Sequence, residues 1–519
     1  MDRKTNKSLI SQTIYINNYC LKPMEMKKTN IILIFIIILL LGYLGIRLVN
    51  QSQIIHSFPL DITNDISSYM AQLHFLDEFG YHQTVTKWFA PEGFVLFEIE
   101  APAWHFFTYP FYLLFKDVKP ASFFSLVIMF VLMGLLIFII AKKEGLNKLE
   151  ALAFFALFAV SPMGVGDYIR QMKLPQMFAW IILLILILII FYFKKNQINW
   201  KFLITAPLIS ILILSHQPET ILFLVLLAGL FLIKDSLKER IIIAVSALIG
   251  ILVSLPWLIP FITKAQELRI LSYQASKWLL EFSGGFRLAN ITLILLSLGL
   301  IVIFILYLKK TNKWKKELLF FSPILILNIL VLTRLVIVLP ILKHLYIDPY
   351  MQFFSFFFIL ILFKTYKKYN FLKYMVALLP IIFVIVSLIH TPWFIQPTPE
   401  ETESLKIFEH VDGIYGFAGS FSKQLYPRAL DSYAAIYYPL RSASGWSLSD
   451  TEEHDLKLKE FNKALINNDK TSFLRLMKDL KIDEVISYGE DCQKLEAFNL
   501  NLKAKEGHLC LYEYKKENL

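Results

Sequence analysis

Long, almost uncharged apolar runs constrain this chain more than any other feature. The first, IILIFIIILLLGYLGI, starts at Ile31, and comparable windows recur near 121–141, 175–193, 240–263, 290–308 and 371–391. Shorter ones lie near 149–163, 201–215, 218–233, 317–333 and 349–363. A bilayer core needs about 20 apolar residues per helix, fewer where loops are tight. Lipid offers no partner to backbone N–H and C=O groups, so each window is expected to be helical. The windows add up to about eleven spans. With 56% hydrophobic residues over 519 positions, a soluble core has no room for this much apolar surface. The fold class expected is a polytopic α-helical membrane protein.

Charge gives the orientation. Lys22, Lys27 and Lys28 precede the first span, and KKEGLNK (142–148), KKNQINWK (194–201), KDSLKER (234–240), KKTNKWKK (309–316) and KTYKKYNFLK (364–373) fall on the same side. The alternate set holds the acidic loop 51–118, GVGDYIRQMKL (164–174), HQPE (216–219), the loop 264–289 and the tail after 392. Basic loops mark the cytoplasmic side, which puts the amino end in the cytoplasm and the tail outside. The net charge of +11 therefore reads as this asymmetry and not as a nucleic-acid stripe. The first 23 residues lack the apolar core and cleavage site of a signal peptide. Met24 and Met26 are alternative starts, and residues 30–49 are expected to remain as an uncleaved anchor.

Three regions follow: a cytoplasmic segment 1–29, a membrane module 30–395, and a soluble extracytoplasmic α/β unit 396–519. QPTPEETES forms the hinge. Helices are expected near 400–410, 452–466 and 470–480, with strands at IYGFAGS, DEVISYG and HLCLYEYK. Cys492 and Cys510 both lie in this unit, as a disulfide or as two buried thiols. The Pro340-interrupted LVIVLPILKHLY reads as a half-helix or as a loop dipping into the protein. In loop 51–118, SSYMAQLHFLDEFG and APAWHFFTYPFYLLF read as helices lying on the membrane surface. Tyr69, Leu73 and Leu76 share one face of the first. Trp104, Tyr109 and Tyr112 read as interfacial anchors, and Asp77, Glu78, Glu92 and Asp117 as solvated acids.

Asp65 differs from those acids. It begins a helix just past the first span, where a carboxylate can act as general base or share a divalent cation with phosphate oxygens. Asp61 is its alternative. The second loop on the same side offers Asp167, Arg170 and Lys173; His216 and Arg334 lie at the ends of later spans. Ionisable groups at membrane depth are candidate functional groups. Together they suit an anionic, lipid-linked substrate.

With LPQMFAW (174–180) and LSHQPET (214–220), this layout resembles the GT-C superfamily of integral-membrane glycosyltransferases. The resemblance implies transfer of a sugar from a polyprenyl-phosphate or -diphosphate carrier to an extracytoplasmic glycan, lipid or protein acceptor. It implies Asp65, or else Asp61, as catalytic base or metal ligand, joined by Asp167. It further implies Arg170, Lys173, His216 and Arg334 as donor-phosphate ligands. Asp65 with Asp167 is the pair that would hold Mg²⁺ or Mn²⁺, but the second loop has no DxD or ExD, which argues against a firmly held ion. SASGWSLSD lacks the WWDYG arrangement of sequon readers. Two other classes are a transporter or flippase of a lipid-linked or anionic substrate, and a non-catalytic scaffold of the same fold. Charged or broken spans at the bilayer midplane would mark a transporter, whereas here the ionisable groups sit at the rim.

Overall fold

The computed structural model describes residues 28–56, 64–86, 88, 93–160, 173–267, 275–390, 399–419, 427–444 and 452–514. Asp61, Asp167 and Arg170 lie outside these residues. The chain opens with α1 (Lys28–His56). The first loop contributes α2 (Asn64–Phe79), a small antiparallel pair β1 (Thr84–Val85) and β2 (Phe94–Val95), and α3 (Ala103–Phe115). The bundle continues with α4 (Val118–Lys143), α5 (Lys148–Val160), α6 (Leu174–Lys195), α7 (Thr205–Ile213) and α8 (Gln217–Leu232). It ends with α9 (Leu237–Glu267), α10 (Gly284–Leu308), α11 (Trp314–Leu332), α12 (Ile347–Thr365) and α13 (Asn370–His390). Every apolar window of the sequence is occupied by one of these helices. The segment around Pro340 forms two short 3₁₀ turns, Leu335–Val338 and Leu342–His344, and is thus a loop.

Among the described residues, six helices are long and apolar enough to cross a bilayer. Of these, α6 and α12 are interior, with 83% and 89% of their apolar windows buried, against 39% or less for the other four. Polar side chains on α6 and α12 therefore face protein, and each needs a partner. Phe154, Phe158, Trp180 and Phe356 interlock between these helices and α5 at ring separations of 5.2–5.6 Å. Two glycines let backbones touch. A Cβ at Gly229 of α8 would lie 2.1 Å from the Phe320 carbonyl oxygen of α11, and one at Gly250 of α9 would lie 2.8 Å from that of Ala206 on α7. Small residues at such crossings supply the close packing that helix association in lipid relies on.

At the basic end the lysines are not simply solvated. Lys364 and Lys195 reach Glu144 at 2.6 and 2.9 Å, and Lys194 reaches Glu317 at 2.8 Å. These pairs join the α4–α5 turn to α6 and α12, and α6 to α11.

The carboxyl-terminal residues form a five-stranded sheet of order β4-β3-β5-β7-β6. After α14 (Pro399–Ile407) come β3 (Ile414–Phe417), α15 (Pro427–Tyr437), β4 (Arg441–Ser442), α16 (Glu452–Ile466) and α17 (Lys470–Asp479). Then follow β5 (Glu484–Tyr488), α18 (Asp491–Ala497), β6 (Asn501–Glu506) and β7 (Leu509–Glu513). β3 runs parallel to β4 and β5, while β7 is antiparallel to β5 and β6. Val485, Cys510 and Tyr512 point to one face, against Phe461, Phe473 and Met477; Ile486, Leu509 and Leu511 point to the other, against Phe408 and Leu430. Both faces are covered, which is why VISY and LCLY read as continuous apolar strands. Cys492 and Cys510 are disulfide-bonded, tying α18 to β7. Of this unit the sequence pattern missed α15, α18, β4 and β6.

The sheet unit rests on the first loop. Ala435 and Ile436 of α15 pack with Ala71, Phe75, Leu76 and Trp88. The Lys119 ammonium lies 5.6 and 5.3 Å from the Tyr433 and Tyr437 ring centroids, and the Tyr437 hydroxyl donates to Asp117 at 3.4 Å. This docking corrects the reading of α2 as a surface helix. Met70, Ala71, Leu73 and Phe75 are all buried, because protein covers both sides of it. Trp104 and Tyr112 are buried as well and are not interfacial anchors, while Tyr109 donates to Asp77 at 2.8 Å.

Candidate active site

Proline starts two helices at the acidic end. Pro175 lies in the first turn of α6 and Pro218 in that of α8. Its fixed φ suits the first turn, where its missing N–H is not needed. LPQ and HQPE are thus helix starts, and Gln176 and Glu219 fall in first turns that face each other. Gln176 Nε2 donates to Glu219 Oε1 at 3.1 Å. His216, the residue before α8, hydrogen-bonds through Nδ1 to the other carboxylate oxygen of Glu219. Glu219 is fully buried and His216 is partly open.

Lys173, Gln176 and Trp180 lie along one side of α6. Lys173 Nζ is 3.1 Å from Asp348 Oδ2 of α12 and 5.7 Å from the Tyr346 ring centroid; Trp180 Nε1 donates to Gln352 Oε1 at 3.2 Å. Tyr346 links this side to the first loop, because it bears on Tyr69 together with Asp65 and Glu100. Burial, then the charges of Asp65 and Glu100 and the nearby Tyr346, hold the Tyr69 hydroxyl well above its usual range. Asp65 is the second residue of α2, half-buried, one turn before Tyr69. An acid there is favoured by the exposed N–H groups of the first turn.

Asp65, Lys173 and His216 therefore fall in one polar seam formed by α2, α6, α8 and α12. Arg334 adopts a left-handed backbone (φ 64°) after α11, with its guanidinium 6.0 Å from the Phe282 ring centroid. Glu219, Gln176, Tyr346, Asp348 and Glu100 were not singled out as site residues from the sequence. The His-x-x-Glu spacing of HQPE carried the signal for Glu219; the others become visible only through packing. His105 of α3 is buried beside Tyr69 and Trp104, and burial pushes its imidazole down to about 3, so it is neutral and no cation for a phosphate. Among the described residues no three His, Cys, Asp or Glu side chains are grouped to hold a metal ion. Of the pair Asp65 and Asp167, the second lies outside the described residues.

No family model and no curated protein matches the chain. Solved structures do. The apo oligosaccharyltransferase of Archaeoglobus fulgidus aligns with a TM-score of 0.57 at 10% identity, over 90% of this chain and 70% of its own. The same enzyme, AglB, in complex with an inhibitory peptide and a dolichol-phosphate gives 0.57 at 10% identity, over 88% and 69%. ArnT from Cupriavidus metallidurans bound to undecaprenyl phosphate aligns over 93% of this chain and 98% of its own, at 12% identity and a TM-score of 0.46. On the strength of the first two alignments the chain has the fold of the archaeal oligosaccharyltransferase, and its long apolar helices mark it as an integral membrane protein.

Proposed function

We propose that the protein is a membrane glycosyltransferase that moves a sugar from a polyprenyl-phosphate or -diphosphate carrier to an acceptor on the extracytoplasmic side. What supports this reading is a run of contacts: Asp65 and Tyr346 both bear on Tyr69, Lys173 lies 5.7 Å from the Tyr346 ring centroid, and Gln176, one turn on, bonds the carboxylate that holds His216. The acceptor hydroxyl gives its proton to Asp65 as its oxygen attacks the anomeric carbon. The bond from that carbon to the carrier phosphate oxygen breaks, and the electron pair leaves with the phosphate. Lys173 balances the departing charge, oriented by Asp348, and Arg170 and Arg334 are the further cations assigned to the carrier. Phosphate is already a competent leaving group, so alignment and charge balance are what the protein must supply. Asp167 is assigned the role of a second acid, or of co-ligand with Asp65 of a divalent cation.

The same reading puts the amino terminus in the cytoplasm and the sheet unit outside. The basic loops support this, as does the disulfide, which persists in oxidising compartments. The test is transfer in proteoliposomes supplied with polyprenyl-phosphate sugars, scored by release of free carrier phosphate. Asp65→Asn should lower the rate by about 10²–10⁴-fold with membrane insertion unchanged. Transfer at the normal rate in that variant would overturn the assignment.

A further inference from the structure

The seam contains a buried carboxylate that the mechanism above does not use. Glu219 is fully buried, accepts from Gln176 through one oxygen, and holds His216 Nδ1 with the other. A buried carboxylate is costly unless it is paired, so this arrangement fixes both partners. With Nδ1 committed to Glu219, the ring atom left for a substrate is Nε2, on the partly open side of the histidine. We infer that Glu219 is a positioning residue: it orients His216 so that Nε2–H donates to the phosphate of the lipid carrier.

A ring that donates through both nitrogens, Nδ1–H to Glu219 and Nε2–H to the phosphate, bridges the two anions with charge-assisted hydrogen bonds. The other groups around the pair do not compete for this role. Gln176 is neutral, and Lys173, one turn before it on α6, is engaged by Asp348 of α12. From the same helix, the Thr220 hydroxyl bonds the His216 carbonyl and leaves the ring alone. Lys173 and His216 then approach the carrier from the starts of adjacent helices, one as a fixed ammonium and the other as a donor whose direction Glu219 sets. The inference rests on the reading of the site as a lipid-phosphate site.

The test is a double-mutant cycle on the full-length protein in detergent, with undecaprenyl phosphate as probe and undecaprenol, the same tail without phosphate, as control. Glu219→Gln keeps the shape and removes the charge. His216→Asn removes the donor. Each should weaken undecaprenyl phosphate binding by about tenfold, the worth of one charge-assisted hydrogen bond. The double variant should also lose about tenfold and not a hundredfold, because Glu219 acts through His216. Undecaprenol binding and the melting temperature of the His216→Asn background should not change on adding Glu219→Gln. A merely structural Glu219 would add its loss to that of His216 and reduce both ligands alike, which overturns the inference. Unchanged phosphate affinity in Glu219→Gln also overturns it while leaving the lipid-phosphate reading intact. Failure of the wild-type protein to discriminate undecaprenyl phosphate from undecaprenol overturns that reading and the inference with it. Should Glu219→Gln not be recovered from membranes, Gln176→Met withdraws the second support of the carboxylate with both charges kept. It should weaken phosphate binding by about threefold only when His216 is present.

Discussion

His105 shows how one buried side chain ties this membrane protein to pH. Its ring is enclosed by α2 and α3 and is neutral in the fold, whereas in an unfolded chain it takes a proton near the ordinary histidine value of about 6.5. The unfolded state therefore binds more protons between about 3 and 6.5. The stability this residue contributes is complete above about 6.5 and is lost as pH falls through that window. Thermal unfolding in detergent should accordingly drop between pH 7 and pH 4 by on the order of a few kcal/mol more in the wild type than in His105→Met. Parallel profiles for the two proteins would contradict this. At the same scale, Lys173 is held in place by its ion pair with Asp348.

At the scale of elements, glycine and proline set where the site can form. Pro175 and Pro218 fix two helix starts side by side, and Gly229 lets α8 approach α11 so closely that any Cβ there would strike the Phe320 carbonyl. This approach settles the lateral position of α8, and so of Glu219 at its start. Gly229→Val should force the helices apart, costing about 1–3 kcal/mol as over-packing does. It should also reduce the yield of folded protein in gel filtration and undecaprenyl phosphate binding together. A Gly229→Val variant that melts and binds like the wild type would show that the crossing is unimportant. Elements also explain a misreading. The pattern of α2 looks amphipathic because only part of its apolar surface repeats at helical spacing. Its second apolar side, with Ala71 and Phe75, is covered by α15, some 360 residues later in the chain. No local pattern announces a partner so distant.

Across the whole molecule, the basic loops, the disulfide and the docking of the sheet unit on the first loop all bear on one topology. If residues 51–118 and 399–513 share the extracytoplasmic side, an impermeant thiol reagent should label a cysteine placed at exposed Tyr81 in intact cells. It should label half-buried Cys492, the partner of buried Cys510, only after reduction. Labelling of these cysteines only after membrane permeabilisation would invert the proposed orientation. Docking through Tyr433 and Tyr437 against Lys119 and Asp117 holds the sheet unit over the helix that carries Asp65.

The sequence alone determined the membrane class, the positions of the apolar helices and several strands of the sheet. These follow from short-range rules: lipid leaves a backbone no alternative to helix, and a strand covered on both faces reads as an apolar run. It also marked Asp65, Lys173 and His216, because ionisable groups at the rim of a bundle stand out against apolar neighbours. Only the tertiary structure decided which of them share a seam, and that Glu219 and Asp348 hold the histidine and the lysine. Those contacts join residues up to 175 positions apart, and hydrogen-bond reach between distant helices depends on packing that no local periodicity encodes.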